Sequence, residues 1–200
     1  MPIIAMPAAP IRVEPAPIKG SRFYGLLSPV QTEEDVKAHL HHVREELPGA
    51  THYCWAYCFE DGRSISNDDG EPTNSAGPPI LRHIHGSGLV NVHIVVVRFF
   101  GGTKLGVGGL IRAYGDVAGQ ALREVEVISQ PTRTRLTIHH DHDLTGIIDG
   151  VIHSYDIETI TIEWGADVRR ELAVVDESYA PFIDELNERT AGRVRPEQTD

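Results

Sequence analysis

RFFGGTKLGVGGLIRAYG, residues 98 to 115, holds six glycines in eighteen positions and runs directly into an apolar repeat. Leu110, Ala113, Tyr114, Val117, Ala121, Leu122 and Val125 recur at helical spacing, so a helix follows the glycines. Before them, Val90 to Phe100 reads as a strand whose centre, IVVV, is apolar on both faces and therefore central in a sheet. The glycines thus join a buried strand to an amphipathic helix. Glycine permits positive φ and close backbone approach. Successive N–H groups at a helix start can then cradle an anion, with Arg98, Lys104 and Arg112 around it. The same glycines also suit a strand-to-helix turn packed too tightly for side chains. Neither the GxxxxGK phosphate loop nor GxGxxG is matched, so both readings stand at this point.

Outward from this stretch, residues 1 to 17 read as a proline-rich extended arm. Lys19 to Leu27 reads as a strand. Thr32 and Asp35 make a capping pair for a helix carrying Val36, Leu40, Val43 and Leu47, which Pro48-Gly49 ends. HYCWAYCF, residues 52 to 59, alternates as a strand. Four residues of strand span about 13 Å, too far for a disulfide between Cys54 and Cys58, so both are expected reduced on one face. A turn at residues 60 to 63 and a polar loop, SNDDGEPTNSAGPP, lead to a helix over Ile80 to Gly88. Residues 129 to 132 read as a linker. Beyond it come a strand at 133 to 139, a helix from Leu144 to Tyr155, strands at 158 to 164 and 171 to 176, a helix opened by Pro181 and a short strand at 193 to 195. That order, β-α-β-β-α-β, is ferredoxin-like.

The chain has 200 residues and a net charge of −11. No apolar run is long enough for a membrane span, and the first residues lack the basic start and apolar core of a secretory signal, so the cytoplasm is the expected compartment. An acidic chain is a poor general binder of nucleic acid, but distribution matters more than the total. Most of the excess acid lies beyond residue 131, whereas residues 73 to 114 contain no Asp or Glu. The glycine-rich stretch sits in that acid-free window, which favours an anion-facing surface.

Two further clusters bear chemistry. Asp68, Asp69 and Glu71 in NDDGEP suit a divalent cation or acid–base work, or else a turn whose side chains bond the local backbone. The histidines of HLHH, residues 39 to 42, are placed on the exposed side of their helix. His139, His140 and His142 stand beside Asp141 and Asp143, but neighbours on a strand point to opposite faces, which argues against a shared metal. No GxSxG nucleophile elbow is present, and no cofactor is implied.

Taken together, GSRF (20–23), ATHYCWAY (50–57), NDDGEPTNSAGPPIL (67–81) and VVVRFFGGTKLGVGGLIRAYG (95–115) resemble the YigZ/IMPACT family over roughly residues 18 to 125. The family motif falls on Ser21, Arg22, Phe23, His52, Asp68, Asp69, Gly70, Glu71, Pro72 and Tyr114. The remainder, including RTAGRV (189–194), resembles the small second domain of bacterial members. The resemblance implies an α+β protein of two domains. Residues 18–128 would form an IMPACT-type domain with a ribosomal-protein-like α/β sandwich. Residues 132–200 would form a ferredoxin-like domain resembling the C-terminal domain of elongation factor G. It also implies a role near translation, whereas the short arm is no substitute for the interaction domain of eukaryotic members. TNSAG stands where the family usually shows a Ser-Gly-Thr-Ala-Gly type of sequence, and RFFGG stands where Arg-Tyr-Phe-Gly-Gly is common.

Three readings of function follow. In the first, a non-enzymatic protein binds RNA or a ribosome-associated partner. Phosphates would meet Arg98, Lys104 and Arg112 and the N–H groups around Gly101, Gly102, Gly106, Gly108 and Gly109, with Arg22 and His52 flanking; a small anion fits the same loop. In the second, Asp68, Asp69 and Glu71 hold a metal or move protons for an enzyme acting on a phosphorylated or nucleotide-like compound. In the third, the acidic second domain meets a basic protein partner. Nothing in the residues sets an oligomeric state.

Overall fold

A computed structural model describes residues 3 to 198; Met1 and Pro2 of the expected arm, and Thr199 and Asp200 of the second expected domain, lie outside the described residues. The chain divides into two compact units, Ile4–Gln130 and Pro131 onward with Ile3. The first contains β1 (Ile3–Pro7), β2 (Ile11–Val13), β3 (Arg22–Pro29), α1 (Glu33–Glu46), β4 (His52–Cys58), β5 (Ser64–Asn67), α2 (Gly77–Ser87), β6 (Val92–Phe99), α3 (Val107–Glu124) and β7 (Val127–Pro131). Five strands form one antiparallel sheet in the order β2-β3-β6-β4-β5.

The position of β6 follows from its two apolar faces. Val92, Ile94 and Val96 pack with Phe23, Leu27, Cys54 and Ala56 under α2 and α3. Val95 and Val97 pack with Tyr24, Leu26 and Tyr53 against Val43 of α1. A strand buried on both sides must sit inside the sheet, and β6 pairs with β3 and β4 along its length. Cys54 and Cys58 are both free and buried. The α1 start carries a full capping box, in which the Thr32 hydroxyl accepts from Asp35 N–H and the Asp35 carboxylate accepts from Thr32 N–H.

Several expectations change. The lead-in contributes structure, because β2 extends the main sheet and β1 pairs with β7. That second pairing also turns residues 129 to 131 from linker into strand. The polar loop begins with an unexpected strand, β5, held by Trp55–Cys58. In HLHH, His39 is half-buried, its Nδ1 lying 2.9 Å from Nδ1 of the fully buried His93.

The second unit contains β8 (Arg133–His140), a short 3-10 turn, α4 (Thr145–Ile152), β9 (Ile157–Trp164), β10 (Val168–Val175), α5 (Asp176–Thr190) and β11 (Pro196–Gln198). Its antiparallel sheet has the order β11-β8-β10-β9. Leu136, Ile138, Leu172 and Val174 form its core with Ile148, Val151, Phe182 and Leu186. Helix α5 starts five residues before Pro181, because Asp176 at its first turn is held by the hydroxyls of Thr132 and Thr134. The last strand lies beyond the expected residues, since Ala191 and Gly192 adopt positive φ and Arg193 N–H closes a turn on the Thr190 carbonyl. No helix among the described residues is long and apolar enough to cross a membrane.

The His39–His93 contact needs a proton on one Nδ1 and a bare partner. Burial, then the nearby His42, pushes His39 down to about 4, and burial pushes His93 well below its ordinary value. Both therefore fold neutral. The stability this gives is present in full above the unfolded value near 6.5 and is lost as pH falls toward about 4. For His39 alone the loss across that window is about 3 kcal/mol. Urea unfolding at about pH 7 and about pH 5 should show a smaller difference for His93→Leu than for wild type; equal differences would remove the pair from the acid response.

Candidate functional site

The acidic loop between β5 and α2 is organised from within. The Asp68 carboxylate accepts from the N–H groups of Asn74 (2.8 Å), Ala76 (2.9 Å) and Gly77 (2.8 Å), and so caps the start of α2 from a distance. The Asp69 carboxylate accepts from Tyr53 N–H at 2.7 Å and meets Arg44 at 3.3 Å. Its carbonyl accepts from His52 Nδ1 at 2.8 Å; a carbonyl only accepts, so that nitrogen carries the proton. Gly70, with φ of +86°, turns the chain so that Glu71 points inward.

Glu71 meets the glycine-rich stretch there. Its Oε1 accepts from Arg98 Nη1 at 2.6 Å and from the Tyr114 hydroxyl at 2.7 Å. The Glu71 and Arg98 side chains are only 3% and 6% exposed. Arg98 Nη2 donates to Ser21 Oγ at 3.3 Å, and that oxygen also accepts from Gly101 N–H at 3.1 Å. The Arg98 guanidinium lies near the rings of Phe23 and Phe100, and Phe23 meets Tyr114 edge-on. Burial first, then Cys54 and Glu71, pushes the Tyr114 phenol upward, so it stays a donor. Burial also pushes the Cys54 thiol upward, and it donates to the Asp68 carbonyl, which leaves no reactive thiolate.

The two loops thus form one buried network, and Arg98 faces Glu71 instead of solvent. The signal was present in the register: Arg98 shares its side of β6 with Ile94 and Val96, so its charge points into the core and needs a carboxylate. The expected metal donors do not converge. Asp68, Asp69 and Glu71 hold three different partner sets, and no group of three or more His, Cys, Asp or Glu side chains among the described residues is placed for a metal. The second-unit histidines are dispersed too: His139 meets Asp167, His140 meets Arg170, and His142 reaches the Gly165 carbonyl.

The loop glycines separate by role. A Cβ on Gly101 would lie 1.9 Å from the carbonyl carbon of Gly20, so two backbones touch there. Gly102 and Gly106 have φ of +88° and +73°. Gly106 is the cap residue of α3 and offers it no side-chain bond, leaving the N–H groups that follow uncapped. A Cβ on Gly108 would meet nothing within 4 Å, and Gly109 approaches only Leu105. Lys104 and Arg112 are exposed, with no ion pair among the described residues. Arg22, also exposed, lies over Phe99, and Pro72 accepts from Ser75 N–H through its carbonyl.

An antiparallel sheet covered on both faces, with a Ser–Arg–Glu–Tyr network at one end, defines the first unit as a mixed α/β domain with a polar internal anchor. Residues 19–122 match the Impact N-terminal domain, and the chain belongs to the IMPACT family. It is 35% identical over 195 residues to the IMPACT family member YigZ of Escherichia coli, covering 95% of each chain. It is 34% identical to an IMPACT family member of Haemophilus influenzae, over 88% of each. A crystal structure described as that of a hypothetical protein matches with a TM-score of 0.82 at 32% identity, covering 100% of this chain and 98% of that one.

Two variants should separate the roles. Gly101→Ala should destabilise by at least about 1–3 kcal/mol, because backbone blocks the new methyl. Gly108→Ala, inside α3 and in open space, should be neutral or stabilise by up to about 1 kcal/mol. Urea midpoints measure both, and equal midpoints would contradict the assigned contact. Glu71→Ala, which strands the buried Arg98 charge, should cost about 3–5 kcal/mol by the same measurement.

Proposed function

We propose that this protein is a non-enzymatic, translation-linked regulator of the cytoplasm that binds RNA or a ribosome-associated partner through the glycine-rich loop of its first unit. In this reading the first unit is a ribosomal-protein-like sandwich. The second is ferredoxin-like and resembles the C-terminal domain of elongation factor G, as the β-α-β-β-α-β order and the order β11-β8-β10-β9 support.

One observation carries the reading: the uncapped start of α3 lies between two unpaired cations, Lys104 and Arg112, in a stretch without acids. Backbone N–H groups and exposed cations together suit phosphate oxygens, which need donors and positive charge but no base-specific contact. Arg98 serves as an anchor beneath the loop in this scheme, and the phosphate contacts fall to Lys104, Arg112 and the N–H groups around Gly106 and Gly108. The carboxylates of the acidic loop are engaged in holding that loop, which favours binding over catalysis.

RNA binding measured at two salt concentrations tests this. Wild type should bind at low salt and weaken as salt rises. Lys104→Ala/Arg112→Ala should bind more weakly, and its log–log salt slope should fall by roughly 0.7 per lost contact. An unchanged slope in the variant, or no wild-type binding at low salt, would remove the loop as a phosphate-contacting surface.

A further inference from the structure

A groove of about 500 Å³ runs along the outer seam of α2 and α3. One wall carries Arg82 and His83, and the other carries Arg112, Asp116 and Arg123. Its floor comes from close helix packing. Gly115 and Gly119 are buried, and a Cβ on either would lie 2.9 Å from the His83 imidazole. The glycines let the ring lie against the α3 backbone, and the exposed histidine remains within the seam.

The charge of this groove is unusual for the chain. Nine of the fifteen arginines are ion-paired among the described residues, in a protein of net charge −11, and three of the other six line this groove. Arg82, Arg112 and Arg123 have no carboxylate partner among the described residues, although Asp116 shares their groove. Three cations against one acid leave the lining positive; Arg82 and Arg112 stand in the acid-free run of residues 73 to 114, whereas Arg123 is followed by the exposed Glu124.

We infer that this groove holds the phosphate backbone of single-stranded RNA. The inference rests on the RNA-binding reading above and adds a site to it. Arg112 and Arg123 leave the same side of α3 three turns apart, about 16 Å along the axis. Helical side chains lean toward the N-terminus, so the offset carries through to the charged ends. Arg123 follows this rule, its Nη1 lying 3.2 Å from where a Gly119 Cβ would be. One phosphate cannot satisfy both arginines, whereas a chain of phosphates can. A base that stacks on a side chain must be out of a duplex, and the exposed His83 ring offers such a platform. A strand can lay its phosphates along the arginines and stack a base on His83. Arg112 stands one turn beyond Gly108 and Gly109, so the track begins where the glycine-rich loop ends.

The test is binding of a labelled single-stranded RNA oligonucleotide to the full chain at low and raised salt. Four proteins are compared: wild type, Arg82→Ala/Arg123→Ala, Lys104→Ala and Asp116→Asn. The double variant should bind more weakly and lose about 1.4 from the log–log salt slope, at roughly 0.7 per contact. Asp116→Asn should bind more tightly than wild type, an effect that loss of folding cannot produce. If the double variant binds as wild type while Lys104→Ala is impaired, the groove is overturned and RNA binding at the loop stands. If wild type binds no RNA at low salt, both fall.

Discussion

The buried ion pair between Glu71 and Arg98 is the constraint around which the first unit is arranged. Each charge is nearly inaccessible to water, and neither would be tolerated there without the other. The pair also recruits. Tyr114 brings α3 to Glu71, and Ser21 brings the start of β3 to Arg98 while holding the backbone of Gly101. Segments separated by up to 80 residues are thereby fixed at one end of the sheet.

Around that anchor, the acidic loop keeps a shape that few other residues allow. Asp68 replaces the missing side-chain cap of α2, and Asp69 grips the start of β4. The loop therefore presents its carboxylates to its own backbone and to arginines. An ion or substrate would have to displace those partners before it could use the carboxylates. The same logic divides the glycine-rich stretch. Gly101 makes room for a backbone, whereas Gly108 opens on solvent.

Burial also sorts the cations. Arg98 is consumed by the anchor, while Arg82, Lys104, Arg112 and Arg123 remain at the surface of the same domain. Residues 73 to 114 hold no acid, and of the groove's lining only Asp116 is acidic. A protein with strongly negative net charge thus retains a local positive surface, and local potential governs encounter with a polyanion at distances of about a Debye length.

Residue pattern alone determined the order of most elements. The two-faced apolar run of β6 dictated its central place, Thr32 and Asp35 dictated the start of α1, and alternation in HYCWAYCF put both cysteines on one face. These are short-range effects, set by neighbours within a few residues. Residues 129 to 131 read as linker and residues 1 to 17 as an arm when taken along the chain, because their strands exist only through pairing with distant partners, β1 with β7 and β2 with β3. His39 reads as exposed by helix position, yet it turns to His93 because α1 lies over β6. Parity within β6 points Arg98 inward, but it does not name Glu71 as its partner. Likewise Arg82 and Arg123 are ordinary surface residues in one dimension and become two sides of a groove only when α2 meets α3. Periodicity and caps are local and can be read along the chain; ion pairs and seams depend on which surfaces meet, and folding alone decides that.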